Sequence, residues 1–435
     1  MAEVRPLRGL RYAPEKVGDL AQIVTPPFDV ISPEAHARYY ARNPYNVIRL
    51  ELGQPQATDN TLNNVYTRAA ATLSEWRLQG FLWQEAAPCY YLYQQTFTHG
   101  IQTYTRTSLL ARVRLEPWSS RVVLPHEHTL AKAKEDRLKL LRACATNLSP
   151  IMSLYDDPQG RIRRLLNSYA PDAEIQIVDE AGEEQRLQPI TDAQQAALIQ
   201  DFFSQRQLYI ADGHHRYTTA LNYREEMLEQ RKELHPEDAV NFVMMALIDV
   251  EDPGMLVLPT HRLLFALSAE VLNALSPQQL AQYFTVQPLE TALPSEVILH
   301  RLAQAGQEQP SLVVHSKEQT LLLSLSEQGR QYMAGSDHST AWNNLDVAIA
   351  QRLILEALLG LSTEDMATGA HVRYTHDEQE AFQAVQRGTA QIAILLNGTP
   401  LRQVCDVALA DDRMPQKSTY IYPKLITGLV LNPLW

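Results

Sequence analysis

The sequence has few of the features that mark secreted, membrane or nucleic-acid-binding proteins. It contains three cysteines in 435 residues, and Cys89, Cys144 and Cys405 are far apart and not in a metal-type spacing. This excludes a disulfide-stabilised scaffold, and we expect buried thiols in a reduced, cytoplasmic compartment. The N-terminus shows no signal-peptide pattern, and no apolar stretch approaches the roughly 18 residues that span a bilayer. We therefore expect no membrane association.

Runs of basic residues are absent as well. The net charge is −12, and the hydrophobic content of 45% and charged content of 20% are those of an ordinary globular protein. Because binding to a phosphate backbone needs a basic surface, this composition argues against nucleic acid as the main partner. A small anionic ligand in a locally basic pocket remains compatible with it.

The pattern along the chain predicts two regions of mixed α/β (α+β) structure. A chain of 435 residues is long enough for two or three domains. Unusual motifs are concentrated in residues 1–265, whereas residues 266–435 alternate helices and strands with fewer motifs. We expect a boundary near residues 265–270. Local signals predict a helix with Ser32 as its cap and Pro33 in its first turn, a hairpin of strands 89–97 and 103–115, a capping box of Thr191 and Gln194, and a helix 345–359 that Gly360 ends.

The most informative stretch is residues 207–221, which include the sequence Asp-Gly-His-His-Arg. A short apolar strand, Leu208 to Ala211, runs into a glycine turn, and a helix begins near His214. The first helical N–H groups have no partner within the helix, and the macrodipole adds positive charge there, so this start favours an anion such as phosphate. The alternative is an ordinary Asp-Gly turn with surface histidines.

Each residue of that turn has a predicted role in phosphate binding. His214, His215 and Arg216 add donors or cations at the helix start. Gly213 lets the backbone approach a ligand closely. Asp212 either caps the turn or holds a metal ion.

Three other constellations could carry chemistry. His126 and Glu127 follow Pro125, and a carboxylate beside histidines suits a general base; the spacing is not HExxH, so the site is not a zincin. The alternative is a solvated loop before a charged helix. Residues 414–424 hold Lys417, Ser418 and Thr419 between prolines, which suits a carboxylate or phosphate ligand, with a surface turn before an edge strand as the alternative.

The third constellation is Thr260-His261-Arg262, which comes directly after an apolar strand. In α/β proteins ligands often bind just after such strands. A strand-end turn with satisfied polar groups is the alternative.

With these motifs in order, nearly the whole chain resembles the family known as domain of unknown function 1015. The resemblance is carried by residues 27–31 (PFDVI), 124–129 (LPHEHT), 134–138 (KEDRL), 147–151 (NLSPI), 211–217 (ADGHHRY), 258–262 (LPTHR), 414–420 (MPQKSTY) and 422–424 (YPK).

A more distant resemblance is to free-serine kinases of the ParB/sulfiredoxin-like fold, which carry Pro-His-Glu, Asp-Gly-His-His-Arg and a late Pro-Lys-Thr-Thr-like segment in this order. It implies a ParB/sulfiredoxin-like core around the DGHHR turn with large N-terminal and C-terminal additions. Glu127 would be the catalytic carboxylate, beside His126. The turn Asp212–Arg216 would hold the donor phosphates, and Lys417, Ser418, Thr419 and Arg262 would bind the amino acid. The chain departs from those kinases in its longer insertions and in Gln416, which interrupts the Pro-Lys pair.

The resemblance implies a small-molecule kinase that phosphorylates the hydroxyl of free L-serine to give O-phosphoserine. The donor would be ATP, ADP or pyrophosphate, since the sequence has no Walker A motif to select one. Mg²⁺ is expected at Asp212. The alternative is a non-catalytic sensor that binds a phosphorylated metabolite or nucleotide at the same turn; a ParB-like nuclease or nucleotide hydrolase is disfavoured by the acidic charge.

Overall fold

The computed structural model describes residues 1–127, 131–169, 173–290 and 293–435, without the side chains of residues 131–133, 363 and 367. His128 and Thr129 of the predicted PHEHT motif lie outside the described residues. The chain divides into two compact units: the first comprises Met1–Pro125, Thr129–Leu256 and Pro423–Trp435, and the second His126–His128 and Val257–Tyr422.

The second unit differs from the predicted region 266–435 both where it begins and where it ends. The break after Leu256 precedes the predicted boundary near residue 265. The C-terminal segment returns to the first unit, because Asn432 and Pro433 pair antiparallel with Asn147 and Thr146. A boundary predicted from the distribution of motifs along the sequence cannot show that the C-terminal segment pairs with the first unit.

A mixed sheet forms the centre of the first unit. Its order is β6-β11-β8-β12-β5-β4-β10-β9, with β1 also paired to β5; β6 is parallel to β11 and β8 to β12, and the other pairs are antiparallel. The strands of this unit are β1 (Val4–Arg5), β2 (Leu10–Tyr12), β3 (Leu82–Gln84), β4 (Tyr90–His99), β5 (Gln102–Arg114), β6 (Val123–Leu124), β7 (Thr146–Asn147), β8 (Ile151–Tyr155), β9 (Ile175–Val178), β10 (Glu184–Ile190), β11 (Leu208–Asp212) and β12 (Phe242–Asp249).

Helices cover this sheet and form a second, N-terminal core. Phe203 and Tyr217 pack against the apolar sheet residue Ile210, whereas Leu73 and Trp76 belong to a separate cluster. The helices are α1 (Pro14–Val17), α2 (Pro33–Arg42), α3 (Ile48–Glu51), α4 (Val65–Leu78), α5 (Ala131–Cys144), α6 (Arg161–Asn167), α7 (Ala193–Phe203) and α8 (His214–Arg231), with short 3₁₀ turns at Leu20–Gln22, Phe28–Val30, Trp118–Ser120 and Ala239–Asn241.

Most local signals in the first unit predicted the observed elements. The hairpin of β4 and β5 is present, and Ser32 caps α2 with Pro33 in its first turn. The predicted capping box at Thr191 is wrong. Asp192 is the cap of α7, and its carboxylate accepts from the N–H of Gln195 at 2.8 Å. Asp caps as well as Thr, so the signal alone does not fix the register.

The second unit is a six-stranded antiparallel sheet with helices on both faces. The order is β15-β17-β16-β19-β14-β18, and β13 pairs with β20 in a separate two-stranded sheet. One apolar cluster includes Leu264, Leu312 and Ile394. The other includes Leu263, Val313 and Leu395, each of which is next in sequence to a residue of the first cluster, as expected for the two faces of one sheet.

The elements of the second unit are the strands β13 (Leu256–Leu258), β14 (His261–Leu264), β15 (Phe284–Leu289), β16 (Ser311–His315), β17 (Thr320–Leu325), β18 (Val372–Thr375), β19 (Ile392–Leu396) and β20 (Tyr420–Tyr422), and the helices α9 (Ala269–Asn273), α10 (Pro277–Leu280), α11 (Ser295–Glu308), α12 (Glu327–Ala334), α13 (Thr340–Asn343), α14 (Asp346–Ile349), α15 (Thr363–Thr368), α16 (Glu378–Arg387) and α17 (Leu401–Leu409).

The predicted helix 345–359 is only partly α-helical. Asp346–Ile349 is α, but Ala350–Leu358 forms a π-helix, which Gly360 ends with a φ of 66°. Apolar periodicity over so short a segment does not separate the two helix types. The mixed α/β class is confirmed. The three cysteines are free and buried, as predicted. Among the described residues, no helix is both long enough and apolar enough to cross a membrane.

Candidate functional site

The predicted strand–turn–helix at Asp-Gly-His-His-Arg is present in the first unit. β11 ends at Asp212, Gly213 adopts a left-handed conformation with a φ of 98°, and α8 begins at His214. The cap position is occupied by Gly213, which has no side chain with which to bond the first N–H groups of the helix. His214 is buried and His215 is half-buried. A glycine turn followed by the start of an 18-residue helix is the backbone arrangement on which the predicted anion site depends.

Gly213 is required at this turn for a second reason besides its backbone conformation. A Cβ atom at this position would lie 3.0 Å from both Nε and Nη2 of Arg216. The guanidinium thus folds back over the glycine. Any larger residue would strain the turn and displace Arg216.

Arg216 is held by three acceptors and is 14% exposed. Its Nη2 donates to Oδ2 of Asp212 at 2.7 Å, and its Nη1 donates to the carbonyl of Pro150 at 2.5 Å and to the hydroxyl of Ser149 at 3.2 Å. A planar guanidinium that makes these bonds is a fixed cation, not a mobile one.

Asp212 has a second cationic partner, which the sequence analysis did not assign to the site. Lys424 Nζ donates to the other carboxylate oxygen, Oδ1, at 2.6 Å. Burial alone would raise the pKa of Asp212, but the charges of Lys424 and Arg216 outweigh it and hold that pKa well below its usual range. Both oxygens of Asp212 accept from side-chain cations, so a metal ion would have to displace one of them. The metal role of Asp212 stays a prediction.

A buried polar network connects Arg216 to the N-terminal helices. Ser149 donates to Oε1 of Glu51 at 3.3 Å, and Arg137 donates to that oxygen at 3.3 Å and to the Glu51 carbonyl at 3.0 Å. The Arg137 guanidinium stacks over the ring of Phe28 at 4.0 Å. The PFDVI, KEDRL and NLSPI segments therefore have a shared structural role, because each supplies a residue that leads to Arg216.

A cavity of about 50 Å³ lies along this network. Its lining includes Glu51, Arg137, Ser149, Arg216 and Thr219, and the buried hydroxyl of Thr219 has no hydrogen-bond partner among the described residues. A cavity of this size holds a few water molecules but is well below the roughly 300 Å³ of a small-ligand pocket. A phosphoryl donor therefore does not bind inside it.

The second unit contains His126 and Glu127 of the Pro-His-Glu motif together with the start of the late motif. His126 is buried, and its Nε2 lies 3.8 Å from Oε1 of Glu127, whose side chain is 33% exposed. The carbonyl of His126 accepts from the N–H of Met414 at 2.7 Å. Two segments that are far apart in sequence thus meet at His126, the residue before Glu127.

The late motif is a tight turn with an exposed lysine. The hydroxyl of Ser418 is buried and donates to the carbonyl of Pro415 at 2.6 Å. Lys417 is exposed and has a φ of 56°, a strained value for a residue with a side chain. Thr419 is half-buried. The turn is followed by β20, so the fixed shape that the prolines predicted is present, with Ser418 in a structural position and Lys417 directed to solvent.

The third predicted constellation is in the interior of the second unit. Arg262 is 2% exposed, donates to the carbonyl of Thr260 and lies 5.5 Å from the ring centre of Tyr374. Burial lowers the pKa of Arg262 to about 10. Burial, with a smaller contribution from Arg262, lowers the pKa of His261 to about 4. These contacts fit a structural role, and substrate binding by Arg262 stays a prediction.

Sequence reasoning missed Lys424, Glu51, Arg137 and Ser149. Lys424, Arg137 and Ser149 were within motifs that had been recognised, but no local spacing distinguished them as site residues. Glu51 gave no signal at all, since it is a single glutamate in a short helix. The residues that the structure does bring together are Asp212, Arg216 and Lys424 in the first unit, and His126, Glu127 and Met414 in the second.

Several solved structures resemble the chain at low sequence identity. A free serine kinase in complex with AMP is 10% identical, with a TM-score of 0.35, over 72% of this chain and 86% of that one. SbnI with a C-terminal truncation, from Staphylococcus aureus, is 12% identical, with a TM-score of 0.36, over 75% and 87%. A conserved hypothetical protein from Pyrococcus furiosus is 10% identical, with a TM-score of 0.34, over 75% and 97%. No curated protein matches the sequence.

The family is shown by a match to the sequence itself. The profile described as "Protein of unknown function (DUF1015)" matches residues 4–348, which is well over half of the chain. This range includes the Pro-His-Glu and DGHHR motifs, and the late motif at residues 414–424 lies beyond it. The chain belongs to the DUF1015 family.

Proposed function

We propose that the chain is a phosphotransferase that transfers a phosphoryl group to the hydroxyl of free L-serine and gives O-phosphoserine. The observation that carries this proposal is the cluster at Asp212. One carboxylate lies between the cations Lys424 and Arg216 at the start of α8, which leaves one excess positive charge. Phosphoryl transfer depends mainly on positioning and on neutralising such phosphate charge.

Glu127 is the proposed general base. The serine oxygen attacks phosphorus, the new O–P bond forms as the bond to the bridging oxygen of the donor breaks, and the hydroxyl proton passes to the Glu127 carboxylate. Its partial exposure leaves the carboxylate accessible to a substrate. A base of this kind must come within about 3 Å of the proton it removes.

Two observations within the units support a joint role for Glu127 and the DGHHR turn. In the first unit β6 and β11 are parallel neighbours with Leu124 paired to Tyr209, so the chain leaves both strands at the same edge of the sheet. Pro125, at the end of β6, leads directly to Glu127. The late segment also contacts both motifs: Met414 bonds to His126 in the second unit, and Lys424 bonds to Asp212 in the first.

Lys417 is the proposed ligand of the amino acid carboxylate. It is exposed, carries a positive charge and is held in a strained turn whose shape the Ser418 hydroxyl fixes. Strain of this kind persists when the surrounding structure enforces it, and it is concentrated at binding sites. Mg²⁺ bound with the donor would neutralise phosphate charge, and Asp212 would supply a carboxylate oxygen of the kind that such an ion prefers once one of its two cations is displaced.

The direct test is to incubate the purified chain and serine with ATP, ADP or pyrophosphate and to detect O-phosphoserine by ³¹P NMR. We expect product with one of these donors. Glu127→Gln keeps the side-chain shape but removes the proton acceptor, so turnover should fall by about 10²- to 10⁴-fold while donor binding persists. Glu135→Gln makes the same change on an exposed part of α5 and should leave turnover unaltered.

Two outcomes would overturn this assignment. If Glu127→Gln turns over like the wild type, Glu127 is not the base. If the wild type binds ADP or pyrophosphate but forms no O-phosphoserine with any donor, the sensor function replaces the kinase.

A further inference from the structure

The backbone of Lys424 is held by the sheet, and its ammonium lies at the end of a long side chain that reaches Asp212. Gln95 Nε2 donates to the carbonyl of Lys424 at 3.1 Å, and Arg106 Nη2 donates to the carbonyl of Pro423 at 2.6 Å and to Gln95 Oε1. Gln95 and Arg106 come from the paired strands β4 and β5 and are both fully buried. The sheet of the first unit thus positions the backbone of this lysine, while four methylene groups separate that backbone from the ammonium.

The group that holds the Lys424 segment is itself an unfavourable buried charge. Arg106 has no exposed surface, and burial lowers its pKa to about 10. Its Nε and Nη1 atoms have no hydrogen-bond partner among the described residues. A buried guanidinium with two unsatisfied donors destabilises a fold. The fold nevertheless places the Arg106 guanidinium next to Pro423 and Lys424. A requirement that Lys424 be held in one position for binding a ligand explains this placement.

The two cations of Asp212 differ in the chemistry of their side chains. Arg216 is bonded to Asp212, Ser149 and Pro150, so a ligand can remove it only by breaking several bonds. The ammonium of Lys424 has three donors on a flexible stem. An incoming phosphate can therefore take bonds from Lys424 while Arg216 continues to neutralise Asp212.

We propose that Lys424 binds the terminal phosphate of the phosphoryl donor, with Asp212 holding its ammonium in place until the donor arrives. The proposal rests on the phosphotransferase function and adds to it the identity of a donor-binding residue. It also gives Asp212 a defined role, since this carboxylate positions a lysine for an anion.

The test is the affinity of the full chain for pyrophosphate, measured by isothermal titration calorimetry. Lys424→Gln retains a donor for Asp212 but removes the positive charge, and should weaken pyrophosphate binding by about 10- to 100-fold. Lys424→Arg keeps the charge and should bind within about threefold of the wild type. Lys317→Gln is the matched control, because it makes the same charge change at an exposed lysine of the second unit, and it should bind like the wild type.

A second measurement does not depend on how the variant folds. A crystal structure of the wild type with pyrophosphate should place a phosphate oxygen within about 3.2 Å of Lys424 Nζ. Wild-type affinity in Lys424→Gln, no measurable pyrophosphate binding by the wild type, or pyrophosphate bound away from Lys424 would each overturn the proposal.

The serine assay separates this proposal from the proposed function. If the wild type binds pyrophosphate through Lys424 but forms no O-phosphoserine, the phosphotransferase function fails and the role of Lys424 in anion binding stands. If O-phosphoserine forms equally well with Lys424→Gln, the function stands and the role of Lys424 fails.

Discussion

Two His–Arg pairs come after apolar strands in this chain, and they have opposite surroundings. His215-Arg216 lies at the start of a helix in the first unit, where Arg216 shares a carboxylate with Lys424. His261-Arg262 begins the strand β14, which lies between β19 and β18 in the sheet of the second unit. Arg262 there has a carbonyl and a tyrosine ring as neighbours. The next element of the chain decides the difference: a glycine turn and a helix start keep the first pair near solvent, whereas a further strand buries the second.

The difference should be visible in the pH dependence of stability. Burial lowers the pKa of His261 to about 4, against about 6.5 in an unfolded chain. The folded state therefore binds this proton less readily, so the contribution of His261 to stability is complete above pH 6.5 and is lost as the pH falls towards 4. The decline is on the order of 3 kcal/mol, since one pKa unit corresponds to about 1.4 kcal/mol. The depressed pKa of Asp212 stabilises the fold above its unfolded value near 4, so its contribution is lost only below that pH.

Urea unfolding of the full chain at pH 7 and at pH 4.5 measures this effect. His261 Nδ1 accepts from the N–H of Leu396, and His261→Asn keeps an acceptor there. The variant should lose the contribution of this histidine to the pH dependence, so its change in stability between the two pH values should differ from that of the wild type by on the order of 3 kcal/mol. His300→Asn changes an exposed histidine of the same unit and should retain the pH dependence of the wild type. If His261→Asn has the same pH dependence as the wild type, burial does not lower the pKa of His261. The two His–Arg pairs would then differ less than the structure indicates.

The same substitution at the two arginines tests the contrast in function. Arg216→Met lowers the charge of the Asp212 cluster from one excess positive charge to zero, so pyrophosphate affinity should fall by about 10- to 100-fold while the KM for serine changes little. Arg262→Met replaces a buried cation, for which the described part of the chain provides no carboxylate partner, with an apolar side chain of similar length, and such a replacement is often tolerated. It should alter both values by less than about threefold. A tenfold rise in the KM for serine in Arg262→Met would instead make Arg262 a substrate residue, as the sequence predicted.

How far the sequence could predict the site depends on the distance along the chain between interacting residues. The turn at Asp212–Arg216 was predicted correctly because its signals are local: an apolar strand, a glycine with a positive φ and a helix start. The bond between Asp212 and Lys424 joins residues 212 positions apart, and the bond between Glu51 and Ser149 joins residues 98 positions apart. Such pairs depend on sheet topology, which one sequence does not reveal.

Errors within single elements have a different origin. The cap of α7 is shifted by one residue because Thr191 and Asp192 both have the chemistry of a cap. The π-helix at Ala350–Leu358 buries apolar residues, among them Leu353 and Ile354, whose spacing in the sequence predicts an α-helix. Composition and periodicity therefore identify an element more reliably than they fix its register or its helix type.

The smallest expected effect concerns Gly213, and a second glycine serves as its control. Gly360 ends the π-helix with a φ of 66°, and a Cβ at that position would meet no atom within 4 Å. Gly360→Ala should thus lower the free energy of unfolding by about 1 kcal/mol, through backbone strain alone. Gly213→Ala adds a close contact with the Arg216 guanidinium to the same kind of strain, so it should lower the free energy by about 2 kcal/mol.

Only Gly213→Ala should also weaken pyrophosphate binding, by severalfold, because it displaces a cation of the Asp212 cluster. Urea unfolding and calorimetry on the two variants measure both effects. Equal losses of stability together with wild-type pyrophosphate affinity would mean that the guanidinium moves aside freely. Arg216 would then not be the fixed cation of the site, and the flexible stem of Lys424 would no longer distinguish the two partners of Asp212.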